Sequence, residues 1–112
     1  FINLNIILSN KVLLNKMKID YFNVNQYTDV ITFNFSDKNK PIDGEIYISI
    51  DDVLENAMEF KQTFNNEFIR VLIHGLLHLI GYKDDNNTNK KNMRSLENKY
   101  LTLNKVSIIS LS

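Results

Sequence analysis

The sequence predicts an α+β fold: a small mixed β-sheet covered by helices, with a pair of histidines on a central buried helix. Three observations carry this. Runs rich in β-branched and aromatic residues fill the first half of the chain and helix-type apolar spacing fills the second, an order that belongs to α+β domains rather than to alternating units. The 112 residues, 44% apolar and 23% charged, suffice for one globular domain, residues 1–112, with one modest core. The segment Glu67–Ile80 is apolar nearly all round, through Phe68, Val71, Leu72, Leu76, Leu77 and Leu79, as a helix buried on every side must be.

Taken in order, Phe1 to Leu8 alternates imperfectly and reads as a strand. Ser9 or Asn10 suits a helix N-cap, and Val12, Leu13, Met17 and Ile19 to Phe22 supply helical spacing to about Asp20. Asn23 to Tyr27 has turn composition. Thr28 to Phe35 reads as a second strand, Ser36 to Gly44 as a polar loop holding the only proline, Pro41, and Glu45 to Ile50 as a third strand. The two later strands are either a hairpin or neighbours in a mixed sheet. Asp51 or Asp52 caps a helix from about Val53 to Gln62, with Val53, Leu54, Ala57, Met58 and Phe60 on its inner side. Asn65 or Asn66 caps the central helix, with Glu67 in the first turn where the helix dipole favours negative charge. After a loop from Tyr82 to Asn89, Lys90 to about Leu103 forms an amphipathic helix with Met93, Leu96, Tyr100 and Leu101 inward. The tail from Lys105 has no assignment.

Composition excludes several classes. There is no cysteine, so thiolate ligands, disulfides and a cysteine nucleophile are absent, and a reducing compartment fits. No apolar run approaches the ~18–20 residues of a membrane span and no leader pattern opens the chain, so cytoplasmic residence is expected. Phe1 is not an initiator methionine, as in a chain that lacks N-terminal residues. The formal net charge is zero, so a nucleic-acid partner would need a local basic patch.

Both histidines of the chain, His74 and His78, stand four residues apart and share one face of the central helix. Gly81 follows where a helix stops in the left-handed conformation and turns back. Asp84, three residues further on, can then swing towards the imidazoles; Asp85 is its neighbour and competitor, and the spacing favours Asp84. Buried core histidines are the plain alternative for such a pair. The pattern H-x3-H-x2-G-x2-D instead offers two nitrogens and one oxygen to Zn²⁺, one ion per chain, with a fourth position open, and an open position belongs to catalysis. A zinc protease of the H-E-x-x-H type carries its general base directly after the first histidine. Here that residue is Gly75, which takes no proton, so peptide hydrolysis is a minority reading and phosphodiester cleavage the better one.

The run HGLLHLIGYKD resembles the signature of the YbeY family of bacterial metal-dependent endoribonucleases, H-G-x-L-H-L-x-G-Y-D-H. Upstream, LLNKMKIDYFNVNQYTDVITFNF is similar to the family's L-N-x-x-Y…T-D-V-L-S-F segment, and GEIYISID to its G-D-I-x-I-S stretch. The resemblance covers Leu13 to about Tyr100 in order. It implies an α+β fold, cleavage of single-stranded RNA in ribosomal RNA processing and ribosome quality control, ribosomal RNA or ribosomal subunits as partners with neither DNA nor membrane, and Zn²⁺ held by His74, His78 and Asp84. Two positions depart from the family. Asp84 stands where the family has a histidine, with Lys83 in place of the preceding aspartate, and a carboxylate is an acceptable Zn²⁺ ligand. Phe22 stands where the family has an arginine implicated in cleavage; Lys16 and Lys18 are the nearest cations, and a lysine is a point charge rather than a bidentate fork. Lys83, Lys90, Lys91, Arg94, Lys38 and Lys40 are candidate phosphate contacts or ordinary solvated charges. Tyr82 and Tyr27 are candidates for base stacking or loop packing, and Arg70 for phosphate or for pairing with Glu67. A ribosome-associated RNA-binding protein with a structural metal site is the second reading, and a metalloprotease with a borrowed base the third.

Overall fold

A computed structural model describes residues 3–37 and 40–103. The expected first-strand residues Phe1 and Ile2, Lys38 and the tail from Lys105 lie outside the described residues. The element order is β1 (Asn3–Ser9), α1 (Lys11–Phe22), β2 (Val30–Asn34), β3 (Asp43–Ser49), α2 (Ile50–Glu59), α3 (Phe64–Leu79) and α4 (Asn87–Leu103). The α+β reading holds. The sheet runs β1-β3-β2, with β3 parallel to β1 and antiparallel to β2, so the mixed-sheet alternative is the one adopted.

Strand pairing assigns the faces. Val30 pairs with Ile48, Thr32 with Ile46 and Asn34 with Gly44, and paired residues share a face. This face receives α3, whose Gly75 would bring an added Cβ to 3.0 Å from methyls of Ile46 and Val30. A glycine at that point lets helix and sheet close to backbone distance. Val30, Ile46, Ile48, Val53, Phe68, Val71 and Leu72 form the resulting core. The opposite face carries Phe33, which meets Tyr21 and Phe22 of α1. Helices α2 and α4 pack on α3, which is therefore the central helix that its all-round apolar composition predicts.

The start of α1 agrees with expectation, while those of α2 and α3 differ. Asn10 caps α1, its side chain accepting from the Leu13 N–H, one of the two predicted choices. The cap of α2 is Ser49 rather than Asp51 or Asp52: β3 runs straight into the helix, and the two aspartates fall in its first turn, where the dipole favours them. Asp51 also accepts the Lys11 N–H at 3.1 Å, which fastens the start of α1. Thr63, not Asn65 or Asn66, caps α3, its hydroxyl accepting from the Asn66 N–H. On α2 only Val53 and Ala57 are buried, while Leu54, Met58 and Phe60 are exposed. On α4, among the described side chains, Met93 and Glu97 are buried and Leu96 is half-buried, while Tyr100 is exposed; the side chain of Leu101, expected inward, lies outside the described ones.

Candidate metal centre

The end of α3 is shaped by a turn that the sequence announces. Gly81 has φ +108, its N–H bonds the His78 carbonyl and the Tyr82 N–H bonds the Leu77 carbonyl, the paired hydrogen bonds of a Schellman motif. The Asn34 side chain of β2 donates to the Leu79 carbonyl at 3.1 Å, so the sheet fixes the same helix end. The turn carries the chain back over the last helical turn and brings Asp84 to the two imidazoles. His74 Nε2 lies 2.9 Å from His78 Nε2, and Asp84 Oδ2 lies 3.4 Å from the first and 3.3 Å from the second. Asp85 is elsewhere: its carboxylate accepts from Asn89 at the start of α4.

The far side of each ring fixes its tautomer. His74 Nδ1–H donates to Glu97 Oε2 at 2.6 Å, and His78 Nδ1–H donates to the Tyr82 carbonyl at 3.1 Å, the carbonyl that the Gly81 turn positions. With Nδ1 protonated on both rings, both Nε2 atoms present lone pairs, and the Asp84 carboxylate adds a third. Three acceptors at mutual distances of 2.9–3.4 Å repel unless a cation or a proton joins them. Ligands about 2.1 Å from a tetrahedral Zn²⁺ would lie about 3.4 Å apart, and two of the three edges match. His74, His78 and Asp84 could hold a metal ion. Burial opposes charge on His74, but the Glu97 hydrogen bond and the charges of Glu97, Asp29 and Asp84 outweigh burial and raise its pKa.

Glu97 is the site residue that sequence reasoning missed. Its position four residues after the buried Met93 marks it as inward-facing, and a carboxylate on an inward stripe needs a partner. The partners are His74, Arg70 at 3.6 Å and Arg94 at 3.7 Å. Arg70 also donates to the Asn98 side chain at 2.8 Å and lies 3.8 Å from Glu67, so it is engaged within the protein, as the pairing alternative has it. Gly75 is buried against β2 and β3, pointing away from the donor triangle. The position of the protease base is closed sterically as well as chemically.

Two clefts meet at the donor atoms. One, of about 630 Å³, runs along β2 and is walled by Lys18 and Phe22 of α1, Thr28 to Thr32, both histidines and Tyr82 to Asp84. The other, of about 350 Å³, lies between α3 and α4 and includes Arg70, Lys90, Arg94 and Glu97. Asp29, His74 and Asp84 border both. Burial raises the pKa of Asp29, partly opposed by His74. Among the described residues the cations in the first cleft are Lys18 and Lys83, and no arginine lines it.

The sequence model of a family described as Endoribonuclease YbeY matches residues 1–105. The chain belongs to the YbeY family. Among curated YbeY proteins, the endoribonuclease of Amoebophilus asiaticus is 40% identical over 94% of this chain and 71% of its own length. That of Karelsulcia muelleri is 48% identical over 88% and 69%, and that of Cytophaga hutchinsonii 43% identical over 93% and 73%. These YbeY relatives are named endoribonucleases, and endoribonucleases are hydrolases. A solution structure of a Thermotoga maritima protein is similar with a TM-score of 0.62 and 34% identity, covering 90% of this chain and 67% of that one. The YbeY assignment agrees with the order of the motifs, the α+β fold and the place of the His pair on α3. Among the described residues no helix is long and apolar enough to cross a membrane.

Proposed function

We propose that this YbeY-family chain is a zinc-dependent endoribonuclease that cuts single-stranded RNA during ribosomal RNA maturation and ribosome quality control in the cytoplasm. The convergence of His74 Nε2, His78 Nε2 and Asp84 Oδ2 within 3.4 Å of one another, at the meeting of two clefts, carries the reading. Bound there, Zn²⁺ would act as a Lewis acid on the scissile phosphate and favour charge developing in the transition state. The chain's own groups do the rest. Glu97 and the Tyr82 carbonyl hold the imidazoles in the ligating tautomer. Lys18 and Lys83 are placed to meet backbone phosphates in the larger cleft. Asp29, held in its protonated form to higher pH than an exposed aspartate and bordering both clefts, is the carboxyl placed to exchange a proton with the strand.

Elemental mass spectrometry on the purified protein and on Asp84→Ala, with cleavage of a single-stranded RNA followed in parallel, tests this. The expected result is near one zinc per chain, lost or much weakened in the variant together with cutting, and cleavage abolished by chelators and restored by zinc. Cutting that persists at full rate after metal removal overturns the mechanism. The second reading, an RNA-binding protein with a structural metal site, draws on the absence of arginine from the larger cleft. Bound zinc and RNA binding without cutting would establish that reading instead.

A further inference from the structure

Phe22 closes α1 and is 43% exposed. Its ring is held rather than free. It stacks on Phe33 at 5.8 Å and 23°, and Phe33 stacks on Phe35 at 6.4 Å and 2°, while Tyr21 and Tyr47 meet Phe33 edge-on. The backbone is fixed directly after the ring: Asn23 has a left-handed φ of 58 and its N–H bonds the Ile19 carbonyl. Phe22 also lines the cleft that contains His74, His78 and Asp84, and the Lys18 ammonium lies 4.9 Å from its centroid. An apolar ring kept half in water at the rim of a polar cleft, with its orientation fixed from behind and a cation beside it, has the features of a stacking platform for a flat, anionic-backed ligand.

We infer that Phe22 is the floor of a nucleobase subsite, where one base of the RNA strand stacks beside the scissile phosphate and Lys18 contacts an adjoining phosphate. The inference rests on the endoribonuclease reading and adds to it the group that recognises the base. Lys18 is suited to the exchange: its charge rides on a flexible four-carbon stem, so the ammonium leaves the ring for a phosphate as the base arrives. Stacking on a phenyl ring requires a base withdrawn from its own stack, which single strands supply at low cost and duplexes do not. Every base has a π-face, so the subsite selects for strandedness more than for sequence.

The test is fluorescence anisotropy with zinc-loaded protein and a labelled single-stranded oligouridylate carrying 2′-O-methyl sugars to slow cutting. The same oligomer is made with one abasic nucleotide at each position in turn, and wild type is compared with Phe22→Leu and Phe22→Tyr. Phe22→Leu keeps apolar bulk on Phe33 and removes the ring, so it should weaken binding about tenfold, whereas Phe22→Tyr should bind within about twofold of wild type. One abasic position should weaken wild type by a factor similar to the leucine loss and leave Phe22→Leu unchanged. Equal binding by wild type and Phe22→Leu overturns the inference, as does an abasic scan in wild type that shows no sensitive position, a result independent of how any variant folds. If wild type cuts RNA in a zinc-dependent way while either of these occurs, the nuclease reading stands and the base subsite falls. If wild type neither binds nor cuts RNA, both fall together.

Discussion

Burial disfavours charge on the His74 ring, while Glu97, 2.6 Å from Nδ1, together with Asp29 and Asp84, favours it more strongly, so its pKa stands above the ordinary 6.5. The consequence depends on whether a metal is bound. In metal-free protein a folded-state pKa above the unfolded value stabilises the fold fully below the unfolded pKa, and that stabilisation is lost as pH rises through the folded one. Metal binding needs the neutral ring, so zinc affinity should fall as pH drops through the raised value, starting at higher pH than an ordinary histidine would give. Glu97→Gln removes the largest of the charges that raise the pKa and leaves burial opposed only by Asp29 and Asp84. Proton competition then moves to lower pH, yet the ring loses its anionic partner and about 10–100-fold in metal affinity. Competitive zinc titrations from pH 5 to 8 in both proteins check both effects. An unchanged affinity in the variant would reduce Glu97 to a partner of Arg70 and Arg94.

Among the elements, α3 does two jobs with successive residues: His74 faces the clefts and Gly75 faces the sheet. Because an added Cβ at Gly75 already meets two methyls at 3.0 Å, Gly75→Glu would drive a carboxylate into the Val30–Ile46 contact. We expect destabilisation beyond about 3 kcal/mol from overpacking and an unpaired buried charge, read as a lowered urea midpoint, and no gain of peptide hydrolysis. A variant as stable as wild type would show that α3 can lift from the sheet. What sequence conveyed here was local. The i, i+4 spacing of His74 and His78 and the left-handed position of Gly81 follow from helix periodicity and from one residue's steric freedom, and they pointed to the three residues whose side chains the fold brings together. Glu97 was hidden because its partner is 23 residues away on another helix, and periodicity marks a face as inward without naming what it meets. The caps of α2 and α3 shifted to Ser49 and Thr63 because several capping residues competed within one turn, and tertiary junctions chose among them. The larger cleft was illegible for the same reason: the end of α1, the length of β2 and the turn after α3 form it only once the sheet is assembled.

For the molecule as a whole, thirteen basic and thirteen acidic side chains cancel, and the smaller cleft shows the cancellation locally. There Arg70 and Arg94 are drawn to Glu97, and Arg70 also to Glu67, which offsets both arginines and leaves Lys90 as the further cation lining that cleft. On the endoribonuclease reading, attraction for RNA is strongest in the larger cleft, where two lysines, Lys18 and Lys83, stand beside the donor triangle. Binding of a single strand that releases counterions from about two phosphates should depend on salt with a slope of about −1.4 in log K against log salt concentration, far shallower than for a basic RNA-binding domain. Lys18→Ala should reduce the slope by about 0.7 and weaken binding at low salt, with the difference fading as salt rises. Anisotropy titrations between 20 and 300 mM salt measure both slopes. A slope steeper than about −3 in wild type would mean that the strand runs past the donor triangle onto α4, engaging Lys90, Lys91 and Arg94, and that the arginine–glutamate pairs of the smaller cleft open when RNA arrives. A shallow slope with intact cutting would instead mean that affinity comes chiefly from stacking and from the metal centre, and that a partner such as the ribosome supplies the remaining selectivity by holding the strand in place.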